Sequence, residues 1–247
     1  MIKNFQNQAM RASKLLAATA VCALSIFGNA QADTEEALNI TPYKASYTAY
    51  KWGDDVGEAH IELSELGENQ YSLLYTSKVS KFFLSDKRSE HSIFTVSDNT
   101  VVPSQYYYNR SGTGPDKALS VSFGADGNDK IAVENGDTFD WNGEFDNQIY
   151  RLDLAKQLAS GVKELDYSFV NYRGELRQYG VKVVDTETLN LPYGKLEAVK
   201  VKLIRSSKKR ETFAWFAPSL DYALVRLQQF KDGDEQGDIK LKSFNTQ

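Results

Sequence analysis

His60 and His91 are the side chains here best suited to ligate a transition metal or to move a proton near neutral pH. They stand far apart in the chain, without the H-x-x-x-H spacing that puts two imidazoles on one helix face. The single cysteine, Cys22, lies close to the N-terminus, so thiolate metal sites, disulfides and cysteine nucleophiles find no support. Asp232-Gly233-Asp234-Glu235-Gln236-Gly237-Asp238 begins like a calcium loop, with oxygen donors at positions one, three and five and glycine at six. Position twelve, which needs a bidentate glutamate, is Ser243, and the segment reads as a solvated acidic hairpin. Gly112-Thr113-Gly114 runs into Pro115-Asp116-Lys117, which satisfies neither the dinucleotide fingerprint nor the P-loop. No G-x-S-x-G elbow occurs. Among 33 acidic residues a carboxylate pair for glycoside cleavage can always be found, which makes it uninformative. No catalytic residue, metal set or cofactor is therefore expected.

Aromatic residues offer a different chemistry. In Tyr106-Tyr107-Tyr108 a strand turns Tyr106 and Tyr108 to one face and Tyr107 to the other. Tyrosine suits the rim of an apolar site because its ring packs while its hydroxyl stays wet. Tyr106, Tyr108, His91 and Trp215 are the expected ligand-binding residues, with ordinary sheet packing as the plain alternative. Lys208-Lys209-Arg210 reads as a charged hairpin tip.

The elements that must position these residues are mostly strands. Val199, Val201 and Leu203 alternate with Lys200 and Lys202, and Ile239 and Leu241 alternate with Lys240 and Lys242. Strict alternation marks antiparallel strands with one buried and one wet face. Turn signals such as Trp52-Gly53, Glu68-Asn69, Asp98-Asn99 and Asp232-Gly233 recur at short intervals. One segment near 147–160 breaks the period: Ile149, Leu152, Ala155 and Leu158 fall on a helical stripe, Asp146 or Asn147 can cap its start, and Gly161 can end it. The expected class is all-β and mainly antiparallel: a curved sheet, half-barrel or closed barrel with one packed helix. One helix is too narrow to cover a sheet of ten or more strands, so curling or a bound molecule must cover the rest.

Composition agrees with a globular chain. Of 247 residues, 41% are hydrophobic and 25% charged, which excludes collagen-like, coiled-coil and disordered classes. The formal net charge of −4 argues against nucleic acid and anionic membrane as main partners, and leaves room for a local basic patch. Residues 1–32 read as a cleavable signal peptide: Lys3, Arg11 and Lys14 precede the apolar run Leu15–Phe27, and Ala30-Gln31-Ala32 supplies a small-x-small cleavage site. Lipidation at Cys22 is the weaker alternative, since Val21 stands where a lipobox needs a small residue. Residues 33–40 form an acidic leader and 41–247 a single β domain, with no transmembrane span expected in the mature chain.

Several blocks in fixed order carry a resemblance. They are Ser89-Glu90-His91-Ser92-Ile93-Phe94, Val102-Pro103-Ser104-Gln105-Tyr106, Asp146-Asn147-Gln148-Ile149, Leu189-Asn190-Leu191-Pro192-Tyr193-Gly194-Lys195, and Phe213-Ala214-Trp215-Phe216-Ala217-Pro218 with Asp221-Tyr222-Ala223-Leu224-Val225-Arg226. Together they resemble the bacterial envelope family catalogued as domain of unknown function 3108. The resemblance implies an envelope protein with a mostly antiparallel β fold and implies no activity. The chain departs from the pattern at Ala223-Leu224-Val225-Arg226, where similar proteins tend to have Pro-Val-Arg. The expected function is a soluble periplasmic protein holding an apolar or amphipathic, lipid-like ligand on a curved sheet. An assembly or scaffold protein contacting an envelope protein is the first alternative, and a hydrolase acting on envelope material the second.

Overall fold

Alternation of small and large apolar residues with polar ones builds the strands as the sequence predicts. In Tyr43–Lys51 the inward positions are Ala45, Tyr47 and Ala49, all buried. The computed structural model describes residues 40–124, 127–207 and 209–247. The expected signal peptide, residues 33–39 of the leader, and Lys208 lie outside the described residues.

The first half of the chain contributes β1 (Tyr43–Lys51), β2 (Asp54–Gly67), β3 (Gln70–Lys81), β4 (Leu84–Ser97), β5 (Thr100–Gly112), β6 (Lys117–Phe123), β7 (Lys130–Val133) and β8 (Thr138–Asp140). The second half contributes β9 (Phe145–Asp146), α1 (Tyr150–Ala159), β10 (Glu164–Val170), β11 (Leu176–Leu191), β12 (Gly194–Ile204), β13 (Arg210–Ala217), β14 (Ala223–Lys231) and β15 (Asp234–Thr246). All fifteen strands form one sheet, in the order β8-β7-β6-β5-β4-β3-β2-β1-β15-β14-β13-β12-β11-β10-β9. Each half is a meander, and the first and last strands meet in the middle. Every ladder is antiparallel except the short pairing of β9 with β10. Among the described residues no ladder joins β8 to β9, so the sheet is curved but not closed.

The curl is nonetheless deep. Strands β5 and β10 stand ten places apart in the order, which would be about 48 Å in a flat sheet. Yet Val170 at the end of β10 packs in one cluster with Tyr106, Tyr108, Val121 and Ile131, and the Tyr108 and Tyr172 ring centroids lie 5.4 Å apart. Bulges bend the strands. Among the described residues seven ladders shift register by one residue. One of these lies where Ile93 and Phe94 face Gln105 and Pro103. It accommodates a proline, which cannot donate to the ladder. Leu66 and Val184 are skipped residues at two further bulges, which explains why these large apolar side chains point to solvent.

The helix lies inside the concavity rather than on a face. No residue from Tyr150 to Leu158 is fully exposed. Tyr150 stacks on Phe169 at 5.0 Å, the Tyr167 hydroxyl donates to Asp153 at 2.7 Å, and Lys156 Nζ donates to the Asn99 carbonyl at 2.9 Å. The buried stripe is Tyr150, Leu154 and Leu158, with Leu152 only half-buried. Of the stripe the sequence suggests, Ile149 and Leu158 are buried, while Leu152 and Ala155 are half-buried, and the helix starts at Tyr150, later than expected. Residues 147–149 form a turn instead, whose Gln148 and Ile149 amides donate to Asp146 Oδ1 at 2.7 and 2.9 Å. At the other end the amide of Gly161, at φ 85°, donates to the Leu158 carbonyl, and the amide of Val162 donates to the Gln157 carbonyl, closing a Schellman motif.

Leu154→Ala should destabilise the protein by about 2–4 kcal/mol in urea unfolding, because its side chain is enclosed by the sheet. Leu152→Ala should cost less than half of that. Equal losses at the two positions would contradict the stripe.

Candidate ligand pocket

The antiparallel order assigns each hairpin tip to an end. The tips of β1–β2, β3–β4 and β14–β15 and the loop after β5 lie at one end of the sheet. The tips of β2–β3 and β4–β5 lie at the other, where Lys156 ties α1 to Asn99. The helix fills the concavity at that second end. At the first end a cavity of about 460 Å³ remains open on the inner face.

Its walls differ in chemistry. Ala49, Val79, Leu227 and Ile239 give an apolar side from β1, β3, β14 and β15. The other side comes from alternate residues of β4 and its neighbour: Asp86 and Arg88, with Arg110 on β5. Arg88 Nε donates to Asp86 Oδ1 at 2.6 Å, and Arg110 Nε donates to Asp86 Oδ2 at 2.7 Å. One carboxylate thus sits between two guanidinium groups, leaving a local excess of positive charge. Partial burial pushes the Asp86 carboxyl up, but the hydrogen bonds and charges of both arginines outweigh it and hold the pKa below the usual aspartate value. Arg110 is fixed further by donating to the Pro115 and Thr113 carbonyls, each at 3.2 Å.

The same face of β4 continues inward as Glu90 and Ser92. Glu90 Oε2 accepts from the Tyr106 hydroxyl and from Asn147 Nδ2, both at 2.7 Å. Burial, reinforced by the Glu90 charge, drives the Tyr106 hydroxyl far above its ordinary pKa, so it serves as a donor. Gln148, fully buried, donates to the Leu73 carbonyl at 3.3 Å and the Ser92 hydroxyl at 3.4 Å. Asp146 is also fully buried, and its Oδ2 has no hydrogen-bond partner. Burial raises its pKa from 3.8 to about 6, against the opposing pull of the Ile149 amide, the nearby Ser92 hydroxyl and the Gln148 amide.

The four residues singled out by the sequence are not brought together. Tyr106 and Tyr108 do share the inner face, but Tyr106 is sealed in the Glu90 network and Tyr108 packs against Tyr172. His91 lies on the opposite face, paired across the ladder with Tyr107. Desolvation lowers its pKa. Trp215 is buried on the face of β13 opposite Ala214, beneath Lys200 and Arg226, with Nε1 donating to Glu187 at 2.9 Å. The pocket residues Asp86, Arg88 and Arg110 were missed. Their signal was present as D-x-R-x-E-x-S over residues 86–92, which on a strand puts four polar groups on one face. Among the described residues no cluster of three His, Cys, Asp or Glu side chains could hold a metal ion. No helix among them is long and apolar enough to cross a membrane.

This chain belongs to the family described as "Protein of unknown function (DUF3108)", which it matches over residues 42–240. No curated protein matches it significantly. Among solved structures it is similar to a Bacteroides fragilis protein described as exported, with a YmcC-like fold, at 11% identity and a TM-score of 0.32, covering 84% of this chain and 97% of that one. It is similar also to a Parabacteroides distasonis protein described as a lipoprotein, at 11% identity and a TM-score of 0.33, covering 83% of this chain and 96% of that one. A third is immune modulator A of Aeromonas veronii, at 9% identity and a TM-score of 0.25, covering 81% and 75%. Likeness at these scores says nothing of what this chain binds.

Asp146 sets a testable pH dependence. Its folded pKa stands above its unfolded value, so its stabilisation is complete below about pH 4 and is lost as pH rises through about 6. Asp146→Asn removes that titration while keeping an oxygen for the two amides. Between pH 4 and pH 8 the stability difference should move in favour of the variant by about 3 kcal/mol, read from urea unfolding at each pH. A difference that stays constant with pH would mean that Asp146 is ionised at no cost.

Proposed function

We propose that this is an envelope protein that holds an amphipathic anion, of the fatty-acid type, in the open end of its curled sheet. One observation carries the reading: the cavity of about 460 Å³ has an apolar side and, facing it, two arginines that share one carboxylate. Ligand sites of this volume are typically apolar with a few placed polar groups. An alkyl chain would lie along Val79, Leu227 and Ile239, while a carboxylate would compete with Asp86 for the forks of Arg88 and Arg110. The proposed location is the periplasm, supported by the charge, apolar run and small-x-small order of residues 1–32.

Titration with dansyl-labelled undecanoic acid tests the site. Wild type should bind saturably, and Val79→Trp, which fills the cavity, should abolish binding without lowering the melting temperature. Arg110→Gln should weaken binding of the acid by roughly tenfold and leave the corresponding methyl ester little changed. Absence of saturable binding, or indifference to Val79→Trp, would remove the reading. For location, intact mass of the periplasmic protein should show Asp33 first; a lipid on Cys22 would instead make it membrane-anchored.

A further inference from the structure

Two hairpin tips at the open end carry an aromatic residue in the left-handed conformation. At the opposite end the two-residue loops Glu68-Asn69 and Asp98-Asn99 have every φ positive, Pro192-Tyr193 closes a third, and Tyr222 takes φ 55° in the five-residue β13–β14 connection. Asparagine and aspartate tolerate that conformation, and bulky side chains do not. At the mouth of the pocket the first loop residue is Trp52 in one hairpin (φ 55°) and Phe82 in the other (φ 56°). Aromatic side chains occupy the strained position at two tips on the same rim, where polar residues would fold more easily. Phe82 and Phe83 are 92% and 99% exposed, and Trp52 is 63% exposed. Leu84, the next residue, lines the pocket. Strain retained at an exposed site points to use, not to stability.

The stem below the phenylalanines is basic. Lys78 and Lys87 stand directly opposite each other across the β3–β4 ladder, a like-charge pairing that costs stability by itself. Lys51 and Lys81 lie over the Trp52 ring, at 4.7 and 4.8 Å from its centroid. Lys81 also pairs with Asp54 at 3.0 Å. Acidic residues of this end lie mostly on the β1–β2 and β14–β15 hairpins, as Asp54, Asp55, Glu58, Asp232, Asp234 and Glu235; Glu58 stands opposite Lys78 on its other side, and Asp86 of β4 faces inward, held by Arg88 and Arg110. The aromatic tip therefore projects from the cationic sector of the rim.

We propose that the β3–β4 hairpin docks the open end of the protein on an anionic phospholipid bilayer, with Phe82 and Phe83 inserted among the headgroups and Trp52 beside them. Aromatic rings favour the membrane–water boundary, and lysines behind them meet anionic lipid. Docking in this way turns the mouth of the cavity toward the source of amphiphiles. That purpose rests on the binding reading above, while the docking itself does not.

Protein purified from the soluble fraction of cells expressing the full chain is floated with vesicles of phosphatidylethanolamine and phosphatidylglycerol. Wild type should float with them and its tryptophan emission should shift to the blue. Phe82→Ser/Phe83→Ser should reduce the bound fraction by about tenfold or more. Lys78→Glu/Lys87→Glu should weaken binding more as phosphatidylglycerol content rises. Both variants should retain the wild-type melting temperature and the affinity for dansyl-undecanoic acid, which separates failure of docking from failure of the pocket. Wild type that does not float, or a phenylalanine variant that floats equally well, overturns the proposal. So does a dimer that forms through the β3–β4 hairpin in place of vesicle binding, which would assign the tip to a second copy of the chain.

Discussion

Fifteen hydrogen-bonded strands at about 4.8 Å spacing would span about 70 Å if laid flat, and one apolar face of that width cannot be left in water. The rest of the structure follows from this constraint. Bulges bend the strands, the outer portions of the two meanders turn toward each other, and β5 comes to rest near β10 without a ladder between them. A ten-residue helix, about 15 Å long, is then sufficient to fill one end of the concavity. It cannot reach the other end, and the cavity is what remains.

The inner face is unusual in what it tolerates. Asp86, Arg88, Glu90 and Ser92 turn four consecutive inward positions of β4 into a polar seam running from the mouth of the cavity to the start of the helix. Buried polar groups are acceptable only when satisfied. Here Asp86 is satisfied by two arginines and Glu90 by Tyr106 and Asn147, while Gln148 reaches Leu73 and Ser92. The seam thus fixes the turn before α1 to the far wall of the sheet. Asp146 is the member left with an idle oxygen, and its raised pKa is the cost of that position.

Much of this was legible in the chain. Strand positions followed from alternation, and hairpin tips from Asn, Asp and Gly pairs, because both signals are local. The terminating Gly161 was readable for the same reason. The two- and three-residue strands β9 and β8 are too short to show a period. The choice of Leu154 over Leu152 as the buried residue was hidden because both leucines flank Asp153 and most of the helix is half-buried, so no fully wet face marks its orientation. The pocket was hidden by the opposite assumption. Alternation by itself assigns polar residues of a strand to the solvent side, and only the curl of the whole sheet turns those of β4 inward. Tyr106 and Tyr108 were given one shared face, but the burial of Tyr106 depends on Val170 as well as on its ladder neighbour Val121, and Val170 arrives from β10, ten places away in the order.

The pairing of β1 with β15 in the centre of the sheet has a kinetic meaning. Every other antiparallel ladder joins neighbours in sequence and can zip as soon as its hairpin exists, whereas this seam joins Tyr43 to Thr246. Loop-closure entropy makes such a contact late and slow. Until β15 arrives, the two meanders have no common sheet, and the concave core that needs both cannot form. A chain emerging N-terminus first therefore stays unfinished until β15 is delivered.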